Sequence, residues 1–338
     1  MIKTVVIGSG AMGRRHVQAV QRAEGFEFQG IADLREDALC KAREEGVPAD
    51  RCFSDTGKML RTVCPDCAII ATTAPSHAAL AEQAVLAGVR MLLVEKPLSI
   101  SLKELYHLRA LCEARGIQLA VNHSVRFCTN YMKIKELASA PELGSLTSLT
   151  LSMGNIGLAM GASHQFELFH FLTGNAHDTV WAWFQENPWP NPRGAQFKDA
   201  AGQIRLENRF GQRHYLEIGP DQGHGMQMIL GFPQGQIHVD LLACEAVVNI
   251  RKPEYREQPP TRYGMPAEIQ RYSLPAFDVI DAAARMLEAL RDGKNYPDLD
   301  AAERITRTLV AAYVSAENEH RPIDIHGSLP EDREFPWA

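Results

Sequence analysis

Short apolar runs alternate with amphipathic stretches through the first third of the chain. Residues 4–7, 26–32, 68–71, 91–94 and 117–121 are aliphatic or β-branched runs of strand length, with a weaker one at 51–53. Between them, residues 14–20, 36–45, 55–62, 78–87 and 102–115 read as helices, three of them stopped by Gly46, Gly88 and Gly116. Strands alternating with helices at this spacing predict a parallel sheet with right-handed crossovers. The pattern changes after residue 122. A helix at 131–139, a strand at 147–153 and a helix at 160–174 precede six strand-like runs at 179–184, 203–210, 214–218, 226–231, 236–241 and 246–250. Gly211-Gln212 suits a hairpin turn, and sequential strands of this kind predict one open, mostly antiparallel sheet. Helices at 275–293 and 300–319 follow, with loops expected at 187–193 and 252–266 and a polar tail at 321–338.

The first unit carries its chemistry in its turn. After the strand at 4–7 comes Gly8-Ser9-Gly10-Ala11-Met12-Gly13, then a helix, then a strand ending on Asp33. In a GxGxxG turn the first glycine permits the sharp bend. The second lets the backbone approach a pyrophosphate, and the third lets helix and strand pack closely. The helix start offers free N–H groups and a positive dipole end to phosphates. Asp33 is placed to accept from adenosine ribose hydroxyls, favouring NAD, while Arg35 would tolerate the 2′-phosphate of NADP. This predicts a Rossmann domain, doubly wound about its parallel sheet, at 1–122. Residues 123–338 are expected to form an α/β domain for substrate binding and oligomerisation. Ligands bind outside the carboxyl ends of such strands. The 8–13 turn, Asp33, the 72–77 segment, residues 95–97 and residues 122–126 all fall there.

Composition narrows the partners. Apolar residues make up 45% and charged residues 22%, ordinary for a globular protein, and the net charge of −6 does not suit a nucleic-acid surface. No run is long enough to span a bilayer, and the first strand starts at residue 2, so a cytoplasmic protein without a leader is expected. Seven scattered cysteines fit reduced thiols; Cys64-Pro65-Asp66-Cys67 has no second ligand pair for zinc, and no metal is expected.

The GxGxxG turn with His16, the segment Ala71-Thr72-Thr73-Ala74-Pro75-Ser76-His77 and the tripeptide Glu95-Lys96-Pro97 together resemble the Gfo/Idh/MocA oxidoreductases. The resemblance is specific over 1–127 and looser to about residue 320. It implies hydride transfer between NAD(P) and a sugar, nucleotide-sugar or cyclitol, in a homodimer or homotetramer formed through the second sheet. It also implies that Lys96 lies beside the nicotinamide and the substrate hydroxyl, before a proline that is commonly cis. Cofactor contacts are then expected from Gly8, Ser9, Gly10, Ala11, Met12, Asp33, Arg35, Thr72, Thr73, His77, Glu95 and Lys96. His77 is equally suited to capping the helix that follows it. Asn122, His123 and Arg126, where the chain crosses into the second domain, are expected to meet substrate.

Alcohol oxidation needs a hydride acceptor and a group that takes the hydroxyl proton. A desolvated lysine near a cationic ring is suited to the second task, and Lys96 is assigned it, with His164 donating to the substrate oxygen. The family often has Asp-x-x-x-His followed three residues later by an acid. His164 and Glu167 match the later positions, but the first is Met160. That departure weakens an inositol-dehydrogenase-like reading. It leaves open a nucleotide-sensing regulator of the same fold, or a glycosidase-like enzyme with tightly bound NAD.

Overall fold

The computed structural model describes residues 1–337 apart from 155–156, 186–188, 192 and 260–265, so the expected loops at 187–193 and 252–266 lie partly outside the described residues. The first half alternates without exception. It runs β1 (Ile2–Ile7), α1 (Ala11–Arg22), β2 (Phe26–Ala32), α2 (Glu36–Glu44), β3 (Cys52–Phe53), α3 (Thr56–Val63), β4 (Cys67–Ile70), α4 (His77–Leu86), β5 (Met91–Val94), α5 (Leu102–Arg115) and β6 (Gln118–Val121). All its pairings are parallel, in the order β3-β2-β1-β4-β5-β6. The order reverses between β1 and β4, which opens a crevice at their carboxyl ends. Local chemistry sets the helix ends. Ser101 accepts from Glu104 N at 3.2 Å while the Glu104 carboxylate accepts from Ile100 N, and Gly116 closes α5 in the left-handed conformation.

The second half contains α6 (Thr129–Ala138), β7 (Ser148–Met153), α7 (Ser163–Thr173), β8 (Thr179–Gln185), β9 (Ala201–Glu207), β10 (Arg213–Ile218), β11 (Gln227–Phe232), β12 (Gly235–Asp240), β13 (Glu245–Arg251), β14 (Ala267–Ser273), α8 (Val279–Arg291), α9 (Leu299–Glu317) and β15 (Ile323–Asp324). Among the described residues these strands form one sheet, β14-β13-β12-β11-β7-β10-β9-β8-β15, antiparallel throughout except for β7 with β10. One face is apolar and buried, with Leu230, Ile237 and Val248 in register, and α7 and α9 lie against it.

Three features depart from the sequence pattern. β14 is a strand that hydrophobic alternation does not reveal. Among the described residues it pairs with β13 alone and almost every residue is exposed, so nothing constrains its side chains to alternate. α8 follows the second sheet in the chain but buries Met286, Leu287 and Leu290 with Val17, Val20 and Phe26 of the first unit, so the nucleotide-domain core is completed from the far half of the sequence. The tail expected to be merely polar is anchored. Phe335 and Trp337 are buried and stacked at 4.7 Å between centroids, and Phe335 N donates to Ile100 O while Lys198 N donates to Pro336 O.

Between α7 and the second sheet lies a buried histidine pair. His177 and His214 approach at 3.2 Å between ring nitrogens and stack with Phe169. Burial pushes His177 well below its ordinary range and His214 down to about 3. Unfolded histidine takes a proton near pH ~6.5. Below that pH the unfolded chain binds protons that the folded chain refuses, and stability falls as the medium becomes more acid. Urea unfolding followed between neutral and mildly acid pH should lose about 1.4 kcal/mol per pH unit for each such histidine, and His214→Phe should flatten that slope.

Candidate active site

The fingerprint turn is built as its glycines demand. Gly8 has φ +103°, and a Cβ there would sit 2.5 Å from Ala71 O; a Cβ on Gly13 would lie inside contact distance of Gly8 O. These two positions admit only glycine. Gly10 has open space around it and caps α1 without a side-chain bond, so no side chain caps the N–H groups that begin the helix. A pyrophosphate fits that description. Asp33 closes the turn, accepting from Ser9 N at 2.7 Å and Arg35 N at 2.9 Å, and each carboxylate oxygen keeps acceptor capacity for a ribose hydroxyl. The Ser9 hydroxyl is spent on Ala38 O at 2.9 Å, and the Arg35 side chain is largely exposed near Asp33 and Asp37. Across the crevice the Thr72 hydroxyl meets Ser76, with Thr73 beside it at the start of the following turn.

Glu95 organises the other end of the rim. Its Oε1 lies 2.8 Å from His16 Nε2 and accepts from Asn122 Nδ2 at 2.7 Å. Burial works to raise its pKa, yet the His16 and Asn122 hydrogen bonds and the Lys96 charge hold it well below the usual carboxylate range. Lys96 follows, 8% exposed, and its peptide bond to Pro97 is cis. Burial pushes its amine down to about 8, aided by Arg193 and opposed by Glu95 and Asp199. His123 and His164 stand edge to face at 5.4 Å. Burial and the neighbouring Lys96 charge push His164 down to about 3 and His123 well below its ordinary range, so both imidazoles are neutral near pH 7. His16 Nδ1, Asn122 Oδ1 and His123 Nδ1 are buried without a protein partner. Buried polar atoms are normally satisfied, so this rim suits a polar ligand.

Several expected contacts take another part. The His77 ring lies with one nitrogen 2.7 Å from Pro97 O and the other 3.1 Å from Thr72 O; the buried neutral imidazole donates to one of them, and it sits between the loops after β4 and β5 with both nitrogens turned to backbone carbonyls. Asn122 is directed at Glu95 rather than outward. Arg126 is bound through Nε at 2.9 Å, and through Nη2, to Glu167, which also accepts from Arg304 at 3.1 Å. Glu167 is fully buried and needs both cations. Arg126 lines a recess of about 360 Å³ with Lys135, His170 and Phe171, a recess that Lys96 does not line. Sequence reasoning missed Asp199 and Arg193, which come from the stretch before β9 and carry no motif. It also left His16 without a role, although a histidine within the buried stripe of α1 is a signal.

Fold and rim together define a Rossmann domain built to receive a dinucleotide, joined to a second domain with an open sheet. Residues 2–123 match the family described as an oxidoreductase family with an NAD-binding Rossmann fold. It is 33% identical over 125 residues to D-apiose dehydrogenase of Paraburkholderia graminis, covering 37% of this chain and 33% of that one. It is 22% identical over 191 residues to myo-inositol 2-dehydrogenase of Thermotoga maritima, covering 52% of this chain and 56% of that one. The chain thus matches between a third and just over half of these curated relatives. A crystal structure of an oxidoreductase from Agrobacterium radiobacter, in complex with NAD+, L-tartaric acid and magnesium, shares the fold over 96% of this chain and 98% of that one, with TM-score 0.77 and 19% identity.

The glycine geometry separates folding from binding. Gly10→Ala should keep the melting temperature, because the position is open and its φ of −66° suits any residue, but should weaken dinucleotide affinity in calorimetry by more than about tenfold. Gly13→Ala should cost about 3 kcal/mol of folding stability or more.

Proposed function

We propose that this chain is an NAD-dependent dehydrogenase acting on a secondary alcohol of a carbohydrate-like substrate. What carries this reading is Lys96: a buried amine at the carboxyl end of β5, on the same rim as the fingerprint turn, that burial pushes down to about 8. The names of the sugar and cyclitol dehydrogenases above support the substrate class. Gly8, Ser9, Gly10, Ala11, Met12, Asp33, Thr72 and Thr73 would hold the dinucleotide, with Glu95 and Lys96 at its nicotinamide end. Asp33 favours NAD, since its carboxylate would repel a 2′-phosphate. The bound nicotinamide would supply the hydride acceptor.

The chain's own residues handle the proton. Neutral Lys96 Nζ takes the hydroxyl proton as the carbinol C–H electron pair departs, leaving a ketone and an ammonium. His164, neutral, can donate one N–H to the same oxygen and so orients it without supplying a proton of its own. His16 and Asn122 hold Glu95 in place, and Glu95 steadies the charge that Lys96 gains. Oxidation should therefore rise with pH through about 8, and the reverse reduction should fall over the same range. In an absorbance assay for reduced nicotinamide on a panel of sugars, cyclitols and nucleotide-sugars, Lys96→Ala should lose about 10²–10⁴-fold in rate. Dinucleotide binding without turnover on any panel member would favour a sensor instead.

The uncovered face of the second sheet supports a homo-oligomer. Strand register puts Ile229, His238, Val247 and Arg271 in one row and Gln236, Asn249 and Ile269 in the next, on the face away from α7 and α9. Ile229 and Ile269 are 40% and 64% exposed there, a reason to expect a second copy. Light scattering should report at least a dimer, and Ile229→Glu with Ile269→Glu should dissociate it without unfolding the protomer. No helix among the described residues is long and apolar enough to cross a membrane, and a cytoplasmic site of action fits the free cysteines.

A further inference from the structure

Asp199 is a buried carboxylate with a built environment. Its Oδ1 accepts from Ala159 N and its Oδ2 from Met160 N, each at 2.9 Å. These N–H groups belong to the wide turn Leu158–Ala162 that leads into α7, where His164 is the second residue. Gly157 enters that turn at φ +71°, and a Cβ there would collide with Asp199 Oδ2, so the backbone wraps directly onto the acid. The flanks of Asp199 are fastened as well. Lys198 N donates to Pro336 O at 2.8 Å, and Ala200 N to the Tyr313 hydroxyl at 3.5 Å. The side chain at position 160 is an apolar methionine.

We propose that Asp199 is a positioning residue of the active site: it fixes the turn that presents His164 and supplies the negative charge that faces the Lys96 amine from the second domain. The inference rests on Lys96 being the proton carrier. The charged and titratable groups around that amine are Glu95 on its own loop, Arg193 and Asp199 from the stretch before β9, and the neutral His123 and His164. Asp199 and Glu95 favour the ammonium form and Arg193 opposes it, so removing the Asp199 charge lowers the pH at which Lys96 titrates. A purely structural cap would leave that pH unchanged.

The test reads the amine itself, without turnover. Intact protein is pulsed with acetic anhydride across a pH series, and acetylation of Lys96 is followed by peptide mass spectrometry. The wild type should show its midpoint at about 8, and folded Asp199→Asn should show it lower by about 0.5 pH or more. An unchanged midpoint in folded Asp199→Asn overturns the proposal. If that variant does not fold, Asp199→Ser takes its place in the same titration, and an unchanged midpoint in whichever of the two folds overturns the proposal. Absence of dehydrogenase turnover in the wild type would count against the function proposed above while leaving this titration readable.

Discussion

Glu95 is a carboxylate taken almost wholly out of water, and the folded rim is the set of groups that makes this tolerable. A buried charge is kept only when it is paired and hydrogen-bonded. His16 from the middle of α1 and Asn122 from the end of β6 reach the same oxygen of Glu95, so a helix and the ends of two strands converge on one atom. Lys96 follows in sequence and inherits the position. Its amine is buried by the packing that buries Glu95, and the nearby carboxylate limits how far its proton affinity falls. One constraint thereby fixes both the geometry and the electrostatics of the proposed proton carrier.

The same logic recurs in the second half. Glu167 is buried between Arg126 and Arg304, and Asp199 is buried against the 158–162 turn. Each acid ties a segment of the second half to a neighbour: the crossing loop and α9 to α7 in one case, the entry of β9 to the entry of α7 in the other. The neutral histidines fill the remaining space. Near Lys96 an imidazolium would face a cation in a dry site, and burial keeps His123 and His164 uncharged. The site thus presents one titrating amine beside two imidazoles, His123 and His164, that stay uncharged near neutral pH.

Much of this was legible in the sequence, for physical reasons. Parallel strands covered on both sides must be apolar along their length, which made 4–7, 68–71 and 91–94 readable, and Gly8 and Gly13 announce a turn that only glycine can make. The fold of the first unit followed from these, and so did the rim. The limits were equally physical. Asp199 and Arg193 lie far along the chain from Lys96 and are brought near it only by the second domain's packing. Arg126 was expected at the substrate because it crosses the domains, but the demand of a buried Glu167 claims it. β14 was invisible because an edge strand exposed on both faces needs no alternation, and Phe335 and Trp337 in a polar tail gave no periodic signal.

The most direct measurement is a crystal structure of the protein with NAD bound. The account predicts the adenosine ribose on Asp33, the pyrophosphate over the Gly10 backbone at the start of α1, and the nicotinamide against Glu95-Lys96-Pro97 with its reactive face toward His164. A dinucleotide lying elsewhere, or bound with the nicotinamide remote from Lys96, would contradict it.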